Sequence, residues 1–570
     1  MRRRRLWLLL AVLVVLGWAA AAGASLLRAR SDLEAGLASV QRAQKLTAPA
    51  DLVAGRALPD LHDATTAFDR GHDRLSSPLV APLKLLPVAG RQLRSATALA
   101  GASARITEVG RDAVGEAQGV LQRPPGAGPE RIAVLRELGQ IASRADARLT
   151  DIDLGPSKAL VGTLAEKRVE LDERLAELRR TLRDGGTAAT GLADLFQGPR
   201  RYLVLAANNS EMRAGSGMFL SVGEMTFADG RFSLGEFQPA GGLYRNNPPP
   251  ITDADFAARW GWLNPNKEWR NLAASPRFDV TAELATRMWG RPVDGVLALD
   301  PITVQAIVEA TGPVDVAGRR LEAEAVDDFL LYEQYAGITS IDANAQAGRR
   351  ELLGLLAKSA LGNVDRGGWD MAKLASTLAR AARGRHVMAW AARPEEQRVW
   401  ESAGIDGRME SASLMVSLLN RSANKLDRFM EVDANLSLRP DGGATAAELR
   451  VTVANTTPVG APVYVAGPYP GSPVGAGDYF GILSVNLPGF AGDIDSDGGD
   501  PAAAGPDGPT RVHAVPMTVK RGETKTVTFR FRMGAPSGSL VVEPSGRVPA
   551  VSWTAPGGSW QSGESRRVNW

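Results

Sequence analysis

Residues 201–220, RYLVLAANNSEMRAGSGMFL, pass from an apolar, strand-like run into a cluster of polar side chains. Asn208 and Asn209 can each donate and accept hydrogen bonds. Arg213 presents a planar fork that matches phosphate or carboxylate, and Glu211 places an acid between them. Gly215 and Gly217 permit a close backbone approach. A strand end that opens into a loop is where α/β folds place ligands, so Asn208, Asn209, Glu211 and Arg213 form a candidate ligand site. The competing reading is a structural corner, in which the asparagines satisfy loop amides and Glu211 pairs with Arg213.

Three further clusters could do chemistry. In GRRELLGLLAKSAL, Arg349 and Arg350 stand at the start of an expected helix, where positive charge opposes the macrodipole. A bound phosphate or other anion would relieve that opposition and use the exposed amides; pairing with an acid such as Asp342 would do the same. In PVDGVLALDP, Asp294 begins a strand and Asp300 ends it, and Asp300-Pro301 reads as a helix cap followed by proline at the first helical position. In DIDSDG, Asp493, Asp495 and Asp497 alternate as calcium ligands do, with Gly498 at the sixth position. The glutamate expected at the twelfth position is replaced by Ala504, so a solvated acidic loop is the better fit.

Other chemistries are excluded or unsupported. The chain has no cysteine and four histidines, His62, His72, His386 and His513, none at metal-ligand spacing. No G-x-S-x-G occurs. The net charge of +3 over 570 residues gives no reason to expect a nucleic-acid partner.

The elements that must position these residues fall into four spans. Arg2 to Arg5 precede an uncharged stretch, residues 6–27, whose 22 residues would span about 33 Å as a helix. With the arginines held in the cytoplasm, the rest would be extracytoplasmic. A signal peptide cleaved near AAAAGAS is the alternative. Residues 29–195 read as helical: Leu171, Leu175, Leu178 and Leu182 make one apolar seam, with Gly185 and Gly186 as its expected end. The seam needs a partner, either helices near residues 32–46 and 91–122 or a second copy of the chain. Residues 196–428 alternate strand and helix signals, with Asp229-Gly230 a hairpin turn, and predict an α/β domain with a mixed sheet. Residues 429–570 read as a β-sandwich of short alternating strands, with residues 488–510 a long polar loop. The expected architecture is thus a transmembrane helix (1–28), a helical stalk or bundle, a central α/β domain and a C-terminal β-sandwich.

The segments RYLVLAANNSEMRAGSGMFLSVGEMTFADGRF, SPRFDVTAELATRMW, VDGVLALDPITVQAIVEATGPVDV and RRELLGLLAKSAL together resemble the bacterial family called domain of unknown function 4012. Ser216 stands where that family usually has a second consecutive glycine. The order of segments also resembles, more distantly, the LytR–CpsA–Psr envelope phosphotransferases. That likeness implies a membrane-anchored extracytoplasmic protein that binds, and transfers, a polyprenyl-phosphate glycolipid or cell-wall polysaccharide, with a divalent metal such as magnesium where a diphosphate is bound. It places Arg213, Arg349 and Arg350 among the phosphate-binding arginines. That family's Ile-Pro-Arg-Asp strand is replaced here by LGEFQPAGG, with Arg245 a few residues beyond. The alternative is a non-catalytic envelope scaffold that acts through protein or polysaccharide contacts.

Overall fold

The computed structural model describes residues 2–46, 51, 54–123, 126–338 and 343–570; the side chains of residues 2–13, 15 and 343–354 lie outside that description. The chain divides into two compact units, Met1–Pro124 with Ala133–Ala193, and Pro125–Ile132 with Asp194–Trp570.

Five helices supply the first unit: α1 (Arg2–Ala43), α2 (Leu58–Ser76), α3 (Ala89–Leu121), α4 (Pro129–Arg148) and α5 (Gly162–Gln197), the last two reaching into the second unit. The leucine seam of α5 finds its partners here. Leu175 is buried in one cluster with Leu99 and Val109 of α3 and Ala145 of α4, and Leu171, Leu178 and Leu182 pack against that cluster. Gly185 and Gly186 do not end the helix, which continues to Gln197. The reason is packing: a Cβ on Gly186 would lie 3.4 Å from the Gly139 carbonyl oxygen of α4, so the two helices approach closely there. α1 runs unbroken from the expected membrane span into Arg28, Arg30, Asp32 and Glu34. Among the described residues no helix is long and apolar enough to cross a membrane.

The second unit contains a mixed sheet and a sandwich. The mixed sheet has strand order β3-β2-β1-β5-β8, with β4 also on β2. Its strands are β1 (Arg200–Met212), β2 (Gly217–Ala228), β3 (Arg231–Leu234), β4 (Gln238–Pro239), β5 (Gly295–Leu299) and β8 (Val387–Ala391). β1 is antiparallel to β2 and parallel to β5. Asp229 and Gly230 both have positive φ, as a tight hairpin between β2 and β3 requires. One face of the sheet packs on α6 (Ala254–Trp260) and α7 (Phe278–Trp289), with Leu203, Leu205, Trp260, Trp269 and Met288 in its core. Over the other face lie α8 (Pro301–Thr311), α9 (Ala323–Leu331) and α10 (Ala343–Arg366), joined by the small hairpin of β6 (Val314–Val316) and β7 (Arg319–Leu321). α11 (Met371–Arg383) and α12 (Pro394–Ser402) flank β8.

The sandwich pairs the sheet β13-β16-β11-β10-β18-β19 with the sheet β14-β15-β12-β9-β17-β20. The first is built from β10 (Met430–Asp441), β11 (Ala444–Asn455), β13 (Ala491–Ser496), β16 (Thr524–Met533), β18 (Ser552–Ala555) and β19 (Gly558–Gln561). The second is built from β9 (Ser413–Asn420), β12 (Tyr479–Pro488), β14 (Ala503–Asp507), β15 (Thr510–Val519), β17 (Ser539–Val542) and β20 (Arg566–Asn569). β10 alternates buried and exposed residues, as a strand with one wet face must. β9 is buried throughout, because Leu414, Val416 and Leu418 face the sandwich core while Leu419 joins the core of the mixed sheet. Sequence periodicity begins the sandwich at residue 429; β9 lies before that point because a strand covered on both faces shows no alternation. The expected loop 488–510 contains β13 and β14. Asp495 pairs in register with Arg530, and Asp497 Oδ1 accepts the Thr528 amide at 2.7 Å, which holds that carboxyl below its usual range. The calcium candidates Asp493, Asp495 and Asp497 thus lie on and just beyond a sheet strand, and no group of three histidine or carboxylate side chains that could hold a metal occurs among the described residues.

Gly185 has open space where a Cβ would sit. Gly185→Ala is therefore expected to stabilise the first unit by roughly 0.5–1 kcal/mol; a loss of stability of that size in a denaturant titration would instead indicate a left-handed helix end.

Candidate functional site

The polar stretch that follows residue 207 remains strand. β1 continues to Met212 through two bulges, and every residue from Asn208 to Arg213 is buried. Burying six consecutive polar-backbone positions with five polar side chains is costly unless each finds a partner. Asn208 Nδ2 donates to the Tyr335 hydroxyl at 3.2 Å, and its Oδ1 accepts the Ser210 amide at 2.9 Å. Asn209 Nδ2 donates to Asp300 Oδ2 at 2.7 Å and to the Gly546 carbonyl at 2.6 Å. Ser210 Oγ donates to the Leu331 carbonyl. Glu211 pairs with Lys425, not with Arg213, and the Lys425 ammonium lies 5.4 and 5.5 Å from the ring centroids of Tyr335 and Tyr464.

Arg213 donates to the carbonyls of Met212 and Asn420 at 3.0 and 2.7 Å and to Asn271 Oδ1 at 3.0 Å. Burial pushes its guanidinium down to about 10, opposed by the charge of Glu211. Gly215 and Gly217 do permit close approach, but to the chain itself: a Cβ on Gly217 would lie 2.5 Å from the Asn208 carbonyl. The four candidate residues of this stretch therefore diverge to separate partners. Arg349 and Arg350 fall within α10, but their side chains, like Asp342, lie outside the described residues. Arg245 donates to the carbonyls of Met288 and Trp289, so it caps the end of α7.

A buried acid beneath this stretch ties it to the sandwich. Asp427 Oδ2 accepts the Met212 amide at 3.0 Å and Asn420 Nδ2 at 2.8 Å, and Oδ1 accepts the Tyr479 hydroxyl at 3.2 Å. Burial pushes its carboxyl up to about 6, opposed by Arg547. Arg547 in turn donates to the carbonyls of Asp427 and Met430. Lys425, Asp427 and Arg547 have no motif in the sequence. Lys425 and Asp427 show only as charges in SANKLDRFM, between two apolar strands, and Arg547 stands more than a hundred residues further on in VEPSGRVPA.

The open space is on the other side of β1. A cavity of about 170 Å³ lies between the mixed sheet and helices α8, α9 and α10. Val204 and Ala206 of β1, Leu220 of β2, Ile307 of α8 and Leu356 and Ala360 of α10 are among its walls. Leu220, Leu234, Phe237, Leu299, Val304 and Leu361 face it and are only half-buried, although apolar. Its few polar walls include Asn208, Asp300, Thr303 and Gln334. Asp300 caps α8, as the sequence predicts, accepting the Thr303 amide at 3.1 Å. It also meets His386 Nδ1 at 2.6 Å through Oδ2, the oxygen that accepts Asn209. A site of this composition holds an apolar chain and offers polar contacts at one end: an apolar cavity of about 150 Å³ takes a benzene-sized guest.

The fold and the cavity together define an α/β domain with an apolar slot, joined to a β-sandwich. Residues 197–335, from the end of α5 to the turn containing Tyr335, match the family described as "Protein of unknown function (DUF4012)". No match was found among curated proteins or solved structures.

Lys425→Met leaves Glu211 charged and buried without its partner and is expected to cost roughly 3–5 kcal/mol, much of which the double variant Glu211→Gln/Lys425→Met recovers; urea unfolding of the three proteins measures both. Asp427 gives a pH signature. Its folded-state value of about 6 lies above the ordinary 3.8, so the folded state binds this proton more tightly than the unfolded chain does. Its contribution to stability falls by roughly 3 kcal/mol as pH rises from about 4 to 6 and is level above that. The difference in unfolding free energy between the wild type and Asp427→Asn should follow that curve.

Proposed function

We propose that the protein is a membrane-anchored, extracytoplasmic envelope protein that receives the apolar chain of a phosphorylated glycolipid in the slot between its mixed sheet and α8–α10. The observation that carries this reading is the slot itself. A sheet face and three helices leave apolar side chains half-exposed to one shared space, which in a protein with no ligand to place there would be closed by larger side chains. The tetra-arginine start and the uncharged residues 6–27 supply the reason for an N-terminal anchor. The distant likeness to the envelope phosphotransferases points to the same class of ligand.

Binding is favoured over transfer. Arg213, which the likeness makes a phosphate ligand, has its guanidinium engaged by two carbonyls and Asn271. The same observation favours a second reading, a scaffold in which the Asn208–Arg213 stretch serves only to lock the α/β part onto the sandwich.

The test is binding of a fluorescent polyprenyl phosphate to the full chain in detergent. Ala357→Trp, from a half-buried position on α10 facing the slot, is expected to weaken binding by at least roughly tenfold with little change in thermal midpoint. Arg213→Ala is expected to lower the thermal midpoint first. Wild-type protein that takes up no polyprenyl phosphate would favour the scaffold.

A further inference from the structure

A second cleft, of about 320 Å³, opens on the face of the unit away from the slot walls, where β1 ends, and Arg213, Trp262, Asn264, Arg270, Asn271 and Arg421 line it. Its composition is opposite to that of the slot. Three guanidinium groups face one carboxylate, Glu268. Glu268 is engaged by Arg270 through two contacts, Nε to Oε1 at 2.9 Å and Nη2 to Oε2 at 2.5 Å. With Arg270 paired to Glu268 and the Arg213 guanidinium spent on two carbonyls and Asn271, the positive charge left open on the cleft walls is that of Arg421.

Arg421 is the group without a counter-charge. It follows β9, it is exposed, and among the described residues its guanidinium has no carboxylate partner and no hydrogen bond. It rests instead over the indole of Trp262, 5.0 Å from the ring centroid. A guanidinium held over an indole is attracted by the ring face without using its N–H donors, which stay available for a forked contact. Trp262 is 49% exposed and is held in place, its Nε1 donating to the Arg259 carbonyl at 3.0 Å. The loop that carries Trp262 is tied down in turn: Asn264 adopts a left-handed conformation (φ 54°), and Asn271 Nδ2 donates to the Leu263 carbonyl at 2.8 Å while its Oδ1 accepts from Arg213. The cleft is thus built before any ligand arrives.

We propose that this cleft binds a sugar carrying a phosphate or a carboxylate. The anion meets the free fork of Arg421 beside Arg270, and the hydroxyls meet the amide side chains of Asn264 and Asn271. The volume is at the lower end of the range for small-molecule sites, about 300 Å³ upward, and leaves room for a ring beyond the anion. The amide rim asks for hydroxyl partners. Trp262 acts as a positioning residue for Arg421. This inference rests on none of the slot residues and stands independently of the lipid reading.

The experiment is isothermal titration of the full chain in detergent with glucose 1-phosphate and with glucuronate as the two anionic arms, and with glucose, inorganic phosphate and adenosine monophosphate as controls. Binding of at least one anionic sugar is expected, weakening as salt is raised, with glucose not bound. Arg421→Gln is expected to reduce that affinity by roughly tenfold or more at an unchanged thermal midpoint, since the side chain is exposed. Trp262→Leu should give a smaller loss, and Ala357→Trp in the slot should give none. Equal affinity for wild type and Arg421→Gln, or equal binding of glucose, would overturn the proposal. Inorganic phosphate or adenosine monophosphate binding as tightly as the anionic sugars would overturn its assignment to a sugar.

Discussion

The second unit depends on one constraint: a strand that begins as ordinary core continues into polar residues without reaching solvent. From Asn208 to Arg213 the side chains cannot turn outward, so each must be met by a group from elsewhere in the chain. Those groups are Tyr335, Asp300, Leu331, Lys425 and Asn420, together with Asp427 beneath the Met212 amide. The mixed sheet, the helices above it and the first strand of the sandwich are thereby held to a single strand. Packing alone tolerates sliding of apolar surfaces; a set of directional bonds to buried groups does not.

That arrangement separates two kinds of polar chemistry. Every polar side chain of the Asn208–Arg213 stretch is met from within the chain, although Asn209 Oδ1 has no hydrogen-bond partner among the described residues; Glu211 pairs with Lys425, and the Arg213 guanidinium is held by carbonyls and Asn271. The two open spaces lie on either side of it. One is an apolar slot with a polar end at Asn208 and Asp300; the other is a basic cleft with Arg213 in its wall. Asn208 and Arg213 therefore each belong to the rim of a space while being fixed by the fold, which makes their substitution a poor probe of binding and a sensitive probe of stability.

Legibility in the sequence followed distance along the chain. The Asp229-Gly230 hairpin and the Asp300-Pro301 cap depend on neighbouring residues, and they stand where turn and cap chemistry put them. The leucine seam of α5 was legible, but its extent was not. Gly186 serves close packing against α4, and nothing local distinguishes such a glycine from a helix end. The polar stretch was recognisable as special, yet its partners lie up to 337 positions away, and a single sequence does not say which groups will meet. The slot could not be read at all, because a half-buried leucine facing an empty space has the same local pattern as one facing a neighbour.

The bond from Asn209 to the Gly546 carbonyl bears on the order of assembly. β1 is made early, but one of the groups that satisfies its buried amide arrives 337 residues later, and β9, next to it in space, waits for β12 and β17 on either side. Contacts of such sequence separation are slow to form because a long loop must close before they are rewarded. The mixed sheet of this chain is therefore incomplete as an independent nucleus during synthesis. The Asn209 amide gains this partner only once the chain has reached Gly546, between β17 and β18, which couples completion of the mixed sheet to that of the sandwich.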